Sequence, residues 1–410
     1  MASVCFPSDG PHVADHHVIN TRDEYERAVA ELAAGDGPIA VDAERASGYR
    51  YSQRAYLIQM FRRGSGTYLF DPPAIGQFSE LEAAIGEVEW VLHAASQDLH
   101  CLREVGLNPH ALFDTELAAR LLGMPRVGLG TVVEELLGIH LAKEHSAADW
   151  STRPLPEPWL VYAALDVELL VDLRDAIAAL LEESGKTEIA EQEFQAELES
   201  KDKLPRSEPW RRLSGIHSIK GLRNLAVARE LWLSRDEFAR EIDTAPGRLV
   251  PDASLTAAAK ALPATKRDLS QLREFSGRAS RSEIDRWWAA IERGRLTDDL
   301  PVLRGHSDTL PPARSWSERN PEADVRLRHA RDAIGVLSEK RAIPVENLLT
   351  PEVLRRIAWT PPTPIDEPTI GQALADHGAR PWQIEATAPI IAAAFVEADQ
   401  SVDETDSNAS

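Results

Sequence analysis

Cysteine is nearly absent: Cys5 and Cys101 are the two in 410 residues. Two thiols build neither a disulfide scaffold nor a cysteine-lined zinc site, and they fit a reducing cytosol. Long apolar runs are missing as well. A membrane-spanning helix needs about 18 consecutive apolar residues, and the longest run, Pro389 to Val396, is far shorter. The start, Met1 to Pro7, has no basic cluster leading into an apolar stretch, so no secretory signal is expected and the location is expected to be cytoplasmic. Positive charge is scarce: 45 Lys+Arg stand against 66 Asp+Glu, a net of −21. That excludes a protein that binds nucleic acid over its whole surface. The 43 % hydrophobic and 27 % charged content excludes disorder as the default. At roughly 100–200 residues per domain the chain has room for two to four.

The charge is not spread evenly. Residues 205–295 carry 18 basic and 12 acidic side chains, a net of +6, while the remainder holds 27 against 54. A basic segment in an acidic chain points to an anionic partner touching one module, or to a solvated helical surface rich in arginine.

Residues 1–17 read as a flexible tail in which His12, His16 and His17 have no evident role. Between 18 and 200 the pattern alternates. Asp23 to Ala34 predicts a helix, and Pro38 to Asp42 an apolar strand ending in an acid. Tyr56–Phe61 and Thr67–Phe70 predict two strands joined by the Gly-containing turn 62–66. A helix over Phe78–Gly86, a strand over Trp90–Ala94 and a helix over Gln97–Val105 follow. Asp114–Leu122, Thr131–Leu137 and a long Trp159–Leu181 complete the helices. A meander followed by strand–helix alternation predicts an α/β domain with a mixed sheet. Residues 205–295 predict an all-helical domain, 296–321 a Pro-rich linker, 322–397 a second helical domain, and 398–410 an acidic, unstructured tail.

Three short segments carry the chemistry. Asp42 and Glu44 sit one residue apart at a strand end, so both carboxylates face one side. Two acids aimed together repel unless a cation lies between them. Asp98 falls at the start of a helix, where an acid often only caps. Tyr162 and Asp166 are four apart on a helix and share its face, with small Ala163 and Ala164 permitting close approach of another element. Each signal alone is weak. Together, four carboxylates from three elements can hold two hard divalent ions, the arrangement that serves phosphoryl displacement. This requires convergence; scattered oxygens, or an Asp98 buried against an arginine, would be grounds to abandon the reading.

The segments Val41–Glu44, His93–Asp98 and Tyr162–Asp166 resemble the three motifs of the DEDD exonuclease superfamily. More narrowly they resemble its tyrosine branch and, within it, the ribonuclease D family. Phe113–Thr115 and Ala148–Leu155 agree. The histidine branch would place His at position 161, which is Val161. The likeness implies a ribonuclease H-like 3′–5′ exonuclease domain over 18–200, followed by the two all-helical domains. It implies Asp42, Glu44, Asp98 and Asp166 as metal ligands for two divalent ions, Mg²⁺ or Mn²⁺, and Tyr162 as the residue that positions the attacking water. It implies trimming of RNA 3′ ends, typically of tRNA precursors, to nucleoside 5′-monophosphates. Ala43 stands where the family often has Thr, between the acids and pointing away from the metals. Pro209–Leu213, Ala226–Trp232 and Arg248–Asp252 resemble the HRDC domain, and 322–397 resembles a second such domain in size and helicity.

His93 and Gln97 flank the second motif and are expected to pack in the core, the alternative being contact with the terminal nucleotide; Gln59 is expected to be structural. Ser184–Thr187 ends like a phosphate-binding loop but lacks the earlier glycine, whose place Leu180 takes. Of Trp287 and Trp288, at least one is expected in the core rather than stacked on bases. The alternatives are a DNA 3′–5′ exonuclease and a non-catalytic nucleic-acid-binding scaffold. The second would be expected to have lost an acid, and none is lost.

Overall fold

Strand β2 (Asp36–Arg45) lies in the interior of a six-stranded sheet, and its Ile39, Ala40 and Val41 are fully buried. The structure is a computed structural model and describes residues 17–141, 147–200, 207–275, 277–303 and 310–408, with side chains as far as 401. Residues 1–16, and with them Cys5, His12 and His16, lie outside it. The other strands are β1 (Val18–Ile19), β3 (Ala55–Arg63), β4 (Gly66–Phe70), β5 (Glu89–Leu92) and β6 (Ala111–Asp114). Their order is β1-β4-β3-β2-β5-β6. The β2, β3 and β4 strands form the expected antiparallel meander, while β5 and β6 add in parallel beside β2. Strand β3 is buried from Ala55 to Met60, so its run of apolar residues is continuous rather than alternating. Neither β1 nor β6 was foreseen. Two residues leave no periodic signal, and β6 runs straight into the helix Thr115–Leu121, so Asp114 reads as a helix start.

The chain divides into two units. One, Met1–Arg45, Ala55–Glu116 and Arg126–Ala179, contains the sheet. Its helices include α1 (Arg22–Ala33), α2 (Leu99–Glu104), α3 (Glu157–Glu168) and the start of α4 (Leu170–Glu183). The expected single helix over Trp159–Leu181 is therefore two, parted at Leu169 with no proline or glycine to announce it. Helix α3 packs across β2, β3 and β4, and Ala163 and Ala164 are fully buried. The segment leading into α3 is pinned by Arg153. Its Nε and Nη2 donate to the two oxygens of buried Asp71 at 2.7 and 2.9 Å, and further N–H groups donate to the carbonyls of Tyr56 and Trp150.

The other unit, Ala46–Arg54, Leu117–Pro125 and Leu180–Ser410, is helical apart from connections. Helices α5 (Leu222–Glu241) and α6 (Ile284–Leu296) cross at Gly294, where a Cβ would stand 2.5 Å from the Val227 Cα. Trp210, Leu231, Leu255, Phe275 and Trp287 fill the core around them. Trp287 is fully buried and its indole N–H donates to the Ser280 carbonyl, as expected of one member of that pair; Trp288 packs partly buried against the same core. Helices α7 (Pro321–Arg341) and α8 (Pro381–Asn408) pack on each other further along. Two expectations change here. The Pro-rich stretch is not all linker: Trp316 is fully buried, edge-on to Trp359, with its indole N–H donating to Pro311. A large apolar ring anchors where composition suggested only a spacer. The acidic terminus continues as helix to Asn408, since 398–408 contains no proline or glycine to stop it. Among the described residues no helix is long and apolar enough to cross a membrane.

Replacing Arg153 with Ala leaves Asp71 buried without its counter-charge. Urea denaturation should show a loss of about 2–3 kcal/mol, and Arg153→Lys should not restore it, because an ammonium cannot span both oxygens.

Candidate metal centre

Period two along β2 turns Asp42 and Glu44 to the same side, and the four-residue step on α3 brings Tyr162 and Asp166 to one face. One oxygen each from Asp42, Glu44 and Asp166 lies within 4.8 Å of the others. The Asp42 carboxylate is held at both oxygens. Oδ1 accepts the Ala43 N–H at 2.9 Å, and Oδ2 accepts the Gln59 amide at 2.8 Å. Gln59 is the cross-strand partner of Asp42 and fully buried. Expected to be structural, it orients a candidate ligand. That role is set by the β2–β3 register, which no local pattern displays.

The second motif is built differently. Strand β5 ends at Leu92, and the chain turns at Ala94 in the left-handed region, φ +64°. Buried Asp114 stabilises that turn by accepting the N–H groups of Ala94 and Ala95 at 3.0 and 2.7 Å, and it also accepts the Glu116 N–H at 2.8 Å. Asp98 then precedes α2, but its side chain caps nothing. It is buried, and Arg45 Nη2 stands 3.6 Å from its Oδ1. So three of the four acids converge, while the fourth faces an arginine, the arrangement named above as counting against convergence. His93 is half-buried with Nδ1 2.9 Å from the Thr115 hydroxyl. Gln97 is exposed, contrary to the packing expected of it, because it lies on the outer side of a short 3-10 turn.

The electrostatics are those of crowded acids. Burial, then the charges of Asp42, Asp166 and Asp98, pushes Glu44 from its ordinary 4.5 up to about 10. Burial and Asp42 push Asp166 to about 7, against the lowering effect of the Tyr162 hydrogen bond. Burial raises Asp42 despite its two donors and Arg45, and burial with Asp42 raises Asp98 well above the carboxylate range. Burial, with Asp166 and Glu44 nearby, also raises the Tyr162 phenol, which stays protonated at neutral pH. A set of hard, mutually repelling oxygens without a nitrogen or sulfur donor among them fits a hard divalent cation. Lys186, in the stretch that mimics a phosphate loop, donates its amine to the Leu121 and Ala342 carbonyls and is committed there.

Sheet, acid cluster and tyrosine together define a metal-dependent 3′–5′ exonuclease. A family model described as 3′-5′ exonuclease matches residues 16–182, an HRDC domain model 224–291, and a model described as 3′ to 5′ exonuclease C-terminal domain 309–395. The chain is 32 % identical over 324 residues to the Ribonuclease D of Jannaschia sp., covering 76 % of this chain and 81 % of that one. A solved protein of Bifidobacterium adolescentis is 37 % identical with a TM-score of 0.85, over 94 % of this chain and 98 % of the other. The Escherichia coli RNase D structure, described as an exoribonuclease involved in structured RNA processing, is 26 % identical with a TM-score of 0.64, over 88 % and 98 %. The chain belongs to the ribonuclease D family, and it is a 3′–5′ exoribonuclease acting on nucleic acid. These relatives favour neither the DNA exonuclease nor the inert scaffold.

Two measurements follow from the geometry. Gln59→Leu releases one oxygen of Asp42, and Mn²⁺ titration should show affinity lower by about 10–100-fold. Glu44 binds a proton in the metal-free fold that it lacks when unfolded, so its contribution to stability declines as pH rises from 4.5 toward about 10. With EDTA the melting temperature should fall between pH 6 and 8, Mn²⁺ should restore it, and Glu44→Gln should flatten the slope.

Proposed function

We propose that the chain trims RNA 3′ ends with two divalent ions, Mg²⁺ or Mn²⁺, releasing nucleoside 5′-monophosphates, with tRNA precursors as substrate and the cytoplasm as its place of work. The convergence of Asp42, Glu44 and Asp166 beside Tyr162, within the 3′–5′ exonuclease match, carries this reading. Asp42, Glu44 and Asp166 hold the ions, and Asp98 completes the set. When bound, the ions polarise the scissile phosphate and stabilise charge on the attacking and leaving oxygens. The protein supplies orientation. Gln59 and the Ala43 N–H fix the Asp42 carboxylate, and Arg153 anchors the segment that leads into α3. Tyr162 acts as a phenol, not a phenolate: its hydrogen bond to Asp166 and its raised pKa suit it to orient a water, not to take its proton.

The proposed organisation is a catalytic domain over 18–200, a basic helical module over 205–295 and a second helical domain over 322–397. Many arginines of the basic module are paired, as Arg229 with Asp299 and Arg235 with Asp252. Lys220, Lys260, Arg267, Arg273, Arg278 and Arg281 are exposed. These are the cations proposed to attract RNA phosphates without sequence preference, an attraction that weakens with salt.

Matched RNA and DNA strands labelled at the 5′ end, incubated with Mg²⁺ or Mn²⁺, test this directly. Asp42→Asn and Asp166→Asn should each slow 3′ trimming of RNA by about 10³-fold, the scale of several kcal/mol of lost charge stabilisation. Tyr162→Phe should cost about 10²-fold with metal affinity retained. Full activity in either Asn variant would remove the two-ion mechanism, and faster trimming of DNA would remove RNA as the substrate.

A further inference from the structure

Arg45 directly follows the first pair of acids, and its placement is not what a regular strand would give. Along β2, Asp42 pairs with Gln59 and Glu44 with Leu57, but Arg45 pairs with Ala55. The register slips between Glu44 and Arg45. Strict alternation would turn Arg45 away from the side of Glu44. The extra residue of this irregularity, Tyr56, lies on β3, and the long arginine side chain still reaches the acids, with Nη2 3.6 Å from Asp98 Oδ1.

That contact has three properties of a temporary partnership. It is longer than a hydrogen bond, so the fork of the guanidinium is not engaged on the carboxylate. Its partners are unequally placed: the Asp98 side chain is 8 % exposed and that of Arg45 26 %. The arginine can move outward into water, whereas Asp98 stays buried and needs a cation in its place. And Asp98 is the acid left outside the three that already gather. The positive charge of Arg45 also acts on Asp42 and Glu44, so it offsets part of the repulsion among the acids.

We propose that Arg45 is an exchangeable cation of the site: it neutralises Asp98 while no divalent ion uses that carboxylate, and it passes to a backbone phosphate of the RNA when an ion takes its place. This rests on the two-ion reading above. The chemistry favours the handover, because a planar guanidinium pairs with two phosphate oxygens better than with one distant carboxylate oxygen. It would also couple the steps, since loading the site frees a substrate-binding group beside it.

The test uses the full-length protein and Mn²⁺ alone, titrated by calorimetry without RNA, and then steady-state trimming of a single-stranded RNA. Arg45→Met and Arg45→Gln remove the competing charge; Arg45→Lys keeps it. In both neutral variants the weaker Mn²⁺ binding step should tighten by about fivefold or more, and KM for RNA should rise about fivefold or more with a smaller change in kcat. Arg45→Lys should bind Mn²⁺ like the wild type while its KM rises. Unchanged or weakened Mn²⁺ binding in the neutral variants overturns the proposal, as does tightened binding with an unchanged KM. If the wild type itself binds no Mn²⁺, the two-ion reading fails and this proposal with it. If the wild type binds and the neutral variants follow the same curve, this proposal alone fails.

Discussion

Three carboxylates gathered beside a buried sheet strand, with a fourth close enough to feel their charge, repel each other, and the rest of the catalytic unit has to resist that repulsion. Asp42, Glu44, Asp98 and Asp166 all lie above their ordinary pKa, with burial the first cause in every case. Without a cation, the cluster relieves itself by binding protons. A divalent ion relieves it with charge, and only the second state is useful for phosphodiester chemistry. The same property therefore disfavours the metal-free fold and favours loading, so affinity and instability have one source.

Rigid elements hold the acids in place. A strand buried in mid-sheet cannot slide without moving its side chains to the other face, so Asp42 and Glu44 stay where the register puts them. Gln59 transfers that register to the carboxylate itself, through one hydrogen bond donated by its amide to Asp42. Asp166 and Tyr162 ride on a helix whose two buried alanines let it lie close to three strands. Asp98 has no such support of its own. It hangs beyond a left-handed turn that Asp114 secures by two backbone hydrogen bonds. The fourth acid is thus the least directly fixed, and it is the one that meets Arg45.

Much of this was legible in the residues and some was not. Period two and the four-residue step on a helix are local rules, so the pairing of Asp42 with Glu44 and of Tyr162 with Asp166 could be read directly. The mixed sheet followed from the meander and the strand–helix alternation. What escaped depends on distant partners. Strand β6 looked like the start of the helix that follows it, because what makes it a strand is β5 alongside. Gln59 looked structural, but what its amide meets is shown only by the opposite strand. Trp316 looked like part of a spacer among prolines, because its partner, Trp359, lies 43 residues further along the chain. Arg45 was passed over for the same reason: its partner, Asp98, follows a different strand, and β2 alone does not announce the contact.

The overall charge makes these local arrangements matter more. A chain with a net charge of −21 repels a polyanion at long range, so attraction has to be local. On the proposed reading the exposed arginines and lysines of the basic helical module attract the phosphate backbone, and the ions convert the acid cluster from a repelling surface into an attracting one. The two contributions answer to different conditions. Salt screens the first, whereas the second follows metal concentration and pH through the protons that the acids must give up. A cluster that accepts its substrate only after loading is thereby protected from binding RNA unproductively. On the proposed exchange, the arginine beside Asp98 sharpens that condition, because the charge that would hold the phosphate is occupied until the metal arrives.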